Sequence, residues 1–244
     1  MGQDTWDIMV CLIAGHLLGD FVLQTDRMAH NKRKIGLLLL HVSGVTAVSY
    51  LVCGVWLSWR IAVGVFATHL IIDGIKTLAG KDGPRAFLFD QGGHLAALAL
   101  IGGFWIPGAA VPYWQNFLPF YTKMVLLVAG GLLCIRVGGF WVAKAVAPFQ
   151  KTIHRAEDSL PNAGRLIGQL ERALIFLLVL VNVPQGVGFL VAAKSVLRFG
   201  EVREPNQRRE AEYIIIGTLM SFGWALATAY ATKALLNLLQ MTGG

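Results

Sequence analysis

HLLGD at residues 16–20 and HLIID at residues 69–73 decide the reading of this chain. In each, a histidine and an aspartate stand four residues apart, so on a helix both side chains point to one face, one turn above the other. A second histidine follows each motif at the same interval, so that His16, Asp20 and His41 recur as His69, Asp73 and His94, every one displaced by 53 residues. Three chemically unusual residues repeating at one spacing predict that helices 1 and 2 and helices 3 and 4 form a parallel internal duplication.

The surroundings of these motifs are apolar. Hydrophobic residues make up 55% of the 244, charged residues 14%, and the mean hydropathy is +0.60, a composition expected of an integral membrane protein rather than a water-soluble domain. Runs long enough to cross about 30 Å of hydrocarbon lie at about 6–24, 35–54, 60–79, 86–106, 122–146 and 213–238. The stretch 161–199 is interrupted by Asn182, Pro184, Gln185 and Gly186 and reads as a helical hairpin turning near 182–186. The fold class expected is therefore all-α, a polytopic helical bundle of about eight spans. Residues 1–107 form a duplicated four-helix unit carrying the His/Asp site, and 108–244 supply four further helices with a basic cytoplasmic rim.

Charge orients the bundle. With the N-terminus outside, 17 of the 21 Lys and Arg residues fall on cytoplasmic segments, Arg60, Lys123 and Lys233 fall outside, and Arg136 lies within a span. The expected location is the bacterial inner membrane. The net charge of +7 is spread over short loops, so nucleic acid is not an expected partner. Cys11, Cys53 and Cys134 sit singly in apolar runs and read as packing residues. The N-terminal MGQDTWD lacks a basic leader and a cleavage site, so the first apolar run reads as a permanent span. The polar runs RAEDSLPNAGR (155–165) and EVREPNQRREAE (201–212) read as connectors.

In the fourth helix Asp90 and His94 keep the four-residue spacing in reverse order, as a helix running the opposite way requires. Counted from each cytoplasmic helix end, His16, His41, His69 and His94 form a layer about 10–15 Å deep, and Asp20, Asp73 and Asp90 a second layer about 6–9 Å deep. Gln24 extends the same face of the first helix. Each carboxylate within a span costs about 2.5–3.5 kcal/mol, and a divalent cation would offset that cost. Mixed imidazole and carboxylate donors suit zinc first, with iron or manganese as alternatives. The expected metal ligands are His16, Asp20, His41, His69, Asp73, Asp90 and His94. Seven donors exceed the needs of one tetrahedral ion, so either two metals bind or some aspartates orient histidines from outside. A metal-held water, with Asp90 or Asp73 as catalytic base, would make a hydrolase acting on a lipid-linked or membrane-proximal substrate. The rival expectations are a divalent metal or proton-coupled transporter and, third, a haem-binding electron carrier using histidine pairs.

The second half is less specific. Arg165, Arg172, Lys194 and Arg198 fall near one cytoplasmic surface and are candidates for holding a phosphate-bearing headgroup.

The segments HLLGDFVLQ, THLIIDGIK, FDQGGHL, GRLIGQLER, AAKSVLRFGE and EYIIIGT resemble those of an uncharacterised bacterial family of integral membrane proteins, a domain of unknown function. That resemblance runs over nearly the whole chain and implies no activity. The intramembrane His and Asp pattern is also loosely similar in chemistry to the bacterial membrane-bound metal-dependent hydrolases, whose HRG and THS signature this chain lacks.

Overall fold

A computed structural model describes residues 3–80, 82–104, 113–116, 120–150, 162–199 and 205–241, and every regular element among them is helical. The chain divides into two compact units, Met1–Leu132 with Leu238–Gly244, and Leu133–Asn237. The division expected at residue 107 falls inside the first unit, because the helix Tyr121–Leu132 packs on the first helix.

The first unit is built around α1 (Gln3–Leu18), which continues through a π turn, Gly19–Leu23. A short α2 (Asp26–His30), capped by the Thr25 hydroxyl, leads into α3 (Ile35–Cys53), α4 (Trp59–Ala79) and α5 (Pro84–Phe104). Gly54 and Gly80 end α3 and α4 in the left-handed conformation, at φ 69° and 60°, where a side chain would be strained. Helices α1, α3, α4 and α5 pack in a ring in that order, with α5 returning to α1, and α6 (Tyr121–Leu132) lies on α1.

Small residues set the tightest crossing. A Cβ at Gly15 would stand 2.4 Å from the Ser49 Cα, and one at Gly19 would stand 2.7 Å from a Val45 methyl, so α1 and α3 meet almost backbone to backbone. Since 15 faces 49 and 19 faces 45, the two helices are antiparallel. This close approach brackets His16 and Asp20 and brings them against the helix that carries His41.

The ring is apolar on its outer surface as well as in much of its interior. Leu40, Leu51, Ile71, Ile75, Leu88 and Phe89 are exposed, whereas His16, His41, His69, Asp73, Asp90 and His94 are buried. A water-soluble bundle would have the reverse arrangement. Five helical stretches among the described residues are long and apolar enough to cross a membrane: Thr5–Leu23, Ile35–Cys53, Trp59–Ala79, Tyr121–Gln150 and Arg209–Leu239. Three helices of the expected eight spans do not meet that measure. Helix α5 carries Asp90, Gln91 and His94, α8 (Ala163–Leu180) carries Arg165, Glu171 and Arg172, and α9 (Gln185–Phe199) has only 15 residues.

In the second unit, a π turn at Leu133–Val137 leads into α7 (Gly138–Gln150). Helices α8 and α9 are joined at 181–184, where Asn182 takes φ 64° and the Val183 amide donates to the Leu178 carbonyl at 2.8 Å, inside the region where a hairpin turn is expected. Helix α10 spans Pro205–Met241. Most of the polar run 201–212 is thus helical rather than a connector, with proline at the first helical position, where a missing N–H costs nothing. The other expected connector, 155–165, lies largely outside the described residues. The core of this unit gathers Cys134, Ile175, Val187, Phe222 and Ala225. All three cysteines are free and buried.

Candidate metal centre

Each ring helix contributes to one buried cluster: His16 and Asp20 from α1 and its π turn, His41 from α3, His69 and Asp73 from α4, Asp90 and His94 from α5. The imidazoles pack against each other, with ring centroids 4.3 Å apart for His69 and His94, 4.9 Å for His16 and His94, 5.2 Å for His41 and His69, and 5.5 Å for His16 and His69.

Four donors within the cluster stand at a particular spacing. His41 Nε2 is 3.2 Å from His69 Nε2 and 3.2 Å from Asp20 Oδ1, and His69 Nε2 is 3.3 Å from the same Asp20 oxygen. Asp73 Oδ2 is 3.3 Å from His41 Nε2 and 3.6 Å from His69 Nε2. These five contacts have the length that separates neighbouring ligand atoms around a tetrahedral ion with bonds of about 2.0–2.2 Å, about 3.3–3.6 Å. The donors gather in threes, His16 with Asp20 and His69, and His41 with His69 and Asp73, each residue offering one atom within 4.8 Å of the others.

The four imidazoles touch one another, and Asp20 and Asp73 lie 3.2–3.6 Å from His41 and His69. Cα–Cβ bonds tilt toward the N-terminus of a helix, which on the antiparallel α1 and α3 carries the Asp20 and His41 side chains toward each other.

Around this cage lie groups that orient it. Gln91 accepts from His16 Nε2 at 3.3 Å through its side-chain oxygen and donates to Asp90 Oδ2 at 3.1 Å and Asp20 Oδ2 at 3.4 Å, so one amide ties three site residues together. Gln24 Nε2 lies 3.2 Å from Nδ1 and 3.0 Å from Nε2 of His41. Lys32 Nζ donates to Asp73 Oδ2 at 2.6 Å, and Lys76 Nζ to Asp90 Oδ2 at 2.5 Å. His94 Nδ1 donates to the Asp90 carbonyl at 2.9 Å, which leaves its Nε2 a bare lone pair. That Nε2 is buried without a hydrogen-bond partner, and so are Asp20 Oδ1, Asp73 Oδ1 and Asp90 Oδ1. Buried polar atoms are almost always partnered, so four orphans in one cluster call for an explanation.

A cleft of about 470 Å³ opens beside the cluster, lined by Lys32, Arg33, Ile35, Leu38, Gly74, Thr77 and Leu78. Lys32 belongs both to this cleft and to the Asp73 ion pair.

All seven residues expected as ligands converge. Lys32, Lys76 and Gln91 were not among them. Lys76, one turn after Asp73, and Gln91, next to Asp90, had only their adjacency to the motifs as a signal, and Lys32, in the polar stretch before α3, had none. The headgroup candidates of the second half fare differently. Arg165 is exposed. Lys194 Nζ is held by the Glu171 carboxylate at 2.7 and 2.8 Å. The side chain of Arg198 lies outside the described residues. Arg172 is 4% exposed and points inward, its Nε and Nη2 donating to the Ile135 carbonyl at 3.2 and 3.0 Å and its Nη1 to Ser221 Oγ at 2.9 Å. A guanidinium so enclosed is unsuited to a headgroup, and the basic side chains that the structure sets at the mouth of the cluster are Lys32 and Arg33.

The fold and cluster define a class, a helical protein with membrane-length apolar helices around a buried His/Asp centre. Residues 8–118, which contain the ring and all seven of these residues, match the model of a family described as a protein of unknown function (DUF3307). An uncharacterised family is what the resemblance in sequence anticipates, although the matched segment stops before the motifs of the second half. No curated protein and no solved structure matches the chain.

Proposed function

We propose that the protein is an integral membrane, metal-dependent hydrolase whose cation is held by Asp20, His41, His69 and Asp73, with His16, Asp90 and His94 completing the site. The single observation that carries this reading is the convergence of Asp20, His41, His69 and Asp73, whose donor atoms make five contacts of 3.2–3.6 Å. Zinc is the ion of first choice for two imidazoles and two carboxylates, with manganese or iron as alternatives. The ion supplies an acidified water, and Asp90, left outside the cage with one oxygen unpartnered, is placed to accept the proton.

The substrate is lipid-linked or membrane-proximal and enters by the cleft at Lys32 and Arg33. Ile35, Leu38 and Leu78 would hold an apolar chain there while Arg33, beside the Lys32 that is paired with Asp73, holds a phosphate or carboxylate. The topology that fits is the eight-span bundle with the N-terminus outside, the cleft on the cytoplasmic side of the inner membrane, and helix pairs α1/α3 and α4/α5 as parallel repeats. The 53-residue recurrence and the distribution of Lys and Arg support it. Histidine rings in mutual contact leave no slot for a porphyrin between them, which weighs against a haem carrier.

One observation favours a second reading. Lys32 and Lys76 already neutralise the buried Asp73 and Asp90, and buried carboxylates that can exchange a lysine for a proton or cation suit a proton-coupled carrier.

Elemental analysis of the full chain purified in detergent separates these. The hydrolase reading expects tightly held transition metal that His69→Ala removes. Metal absent from wild type and variant alike would overturn it, and divalent-ion uptake into liposomes abolished by Asp73→Asn would favour the carrier.

A further inference from the structure

The four-donor cage leaves part of the cluster unexplained. Asp73, Asp90 and His94 form a second group, each offering one donor atom, with those atoms all within 4.8 Å of one another. The three residues are 1%, 7% and 2% exposed. Asp73 Oδ1, Asp90 Oδ1 and His94 Nε2 are three of the buried atoms without a hydrogen-bond partner. The backbone bond at His94 Nδ1 fixes the tautomer in which Nε2 is free to ligate. Meanwhile Asp73 uses its other oxygen, Oδ2, in the first cage.

We infer that Asp73, Asp90 and His94 bind a second divalent transition-metal ion, with the Asp73 carboxylate shared between the two ions of a dinuclear centre. The inference rests on the metal-dependent reading above and extends it. A carboxylate that gives one oxygen to each of two ions suits the separation of about 3.5–4 Å found in two-metal hydrolytic sites. The ligand count fits as well. Six of the seven donor residues are then used, Asp73 by both ions, and His16 is held by Gln91; the orphaned atoms belong to Asp73, Asp90 and His94 of the second set and to Asp20 of the first.

Charge then points to the substrate. Three aspartates facing Lys32 and Lys76 are nearly balanced without metal. Two divalent ions leave the centre positive, which favours a bound hydroxide together with an anionic ester of the phosphate type over a neutral substrate. With the second position filled, Asp90 would serve as a ligand in place of the base role proposed above.

Manganese alone is the probe. The full chain in detergent is stripped with a chelator and reloaded with Mn²⁺, and bound metal and the electron paramagnetic resonance spectrum are recorded. Wild type is expected to hold two ions per chain and to show the spectrum of an exchange-coupled pair. His94→Ala and Asp90→Asn are each expected to hold one ion with an uncoupled spectrum, the near-isosteric second variant serving if the first does not fold. A wild type with one isolated ion, unchanged by either variant, would overturn the second position and leave the first standing. A wild type that binds none would overturn both.

Discussion

Both units bury polar side chains, and the His/Asp cluster of the first differs from Arg172 of the second in how far they are satisfied. In the first, three aspartates and a histidine keep atoms with no hydrogen-bond partner in a cluster that spans four helices. In the second, Arg172 is as deeply buried, yet every one of its nitrogens donates, to the Ile135 carbonyl in the π turn or to Ser221. Its slot is made by glycines: a Cβ at Gly139 would come within 2.8 Å of Nη2, and one at Gly168 within 3.2 Å of Nη1. Completed polarity of this kind holds helices together, whereas polarity left open has a use for something not in the chain.

The largest expected effect tests the closed side of that contrast. Arg172→Ala removes three hydrogen bonds from a cation and strands the Ile135 carbonyl and the Ser221 hydroxyl, at a cost of about 3–5 kcal/mol, read as a fall in the thermal midpoint of the detergent-solubilised protein. Metal content per folded chain should be unchanged, and a loss of metal would mean that the slot is coupled to the centre. On the open side the expected effect is on metal. Asp20→Asn keeps the shape of the side chain and takes away the charge that faces His41 and His69, so bound metal per folded chain should fall well below that of wild type. Unchanged metal content in Asp20→Asn would take Asp20 out of the ligand set. The smallest effect belongs to Lys194→Met. Its ion pair with Glu171 is partly exposed, at 22% and 15% for the two side chains, and the change in midpoint should correspond to less than about 1 kcal/mol.

The sequence disclosed the open cluster more readily than the closed slot. Histidine and aspartate inside apolar runs are costly, and at four-residue spacing they name their own helix face, so all seven members could be found from spacing alone. The approach of Asp20 to His41 was hidden, because it comes from the opposite tilt of side chains on antiparallel helices and depends on the contact of Gly15 with Ser49 and of Gly19 with Val45. Lys32 and Lys76 resembled ordinary charges at helix ends, and only the length of their flexible stems brings the ammonium groups to Asp73 and Asp90. Arg172 looked like a member of a basic rim for the same reason. What hosts it is the absence of side chains at Gly138, Gly139 and Gly168, and an absence has no periodicity to read. The turn between α8 and α9 was legible from its Asn, Pro and Gly, while the attachment of α6 to the first unit depends on tertiary contact and left no local mark.

The main-chain contact between α1 and α3 has a bearing on selectivity by ionic radius. Where two helices touch through glycine and Cα, their backbones cannot come closer, so the crossing sets how near the Cα atoms of Asp20 and His41 can lie and leaves the two side chains a short span. On the metal reading proposed above, that span would suit a smaller ion than calcium, which needs six or more oxygen ligands at about 2.3–2.6 Å.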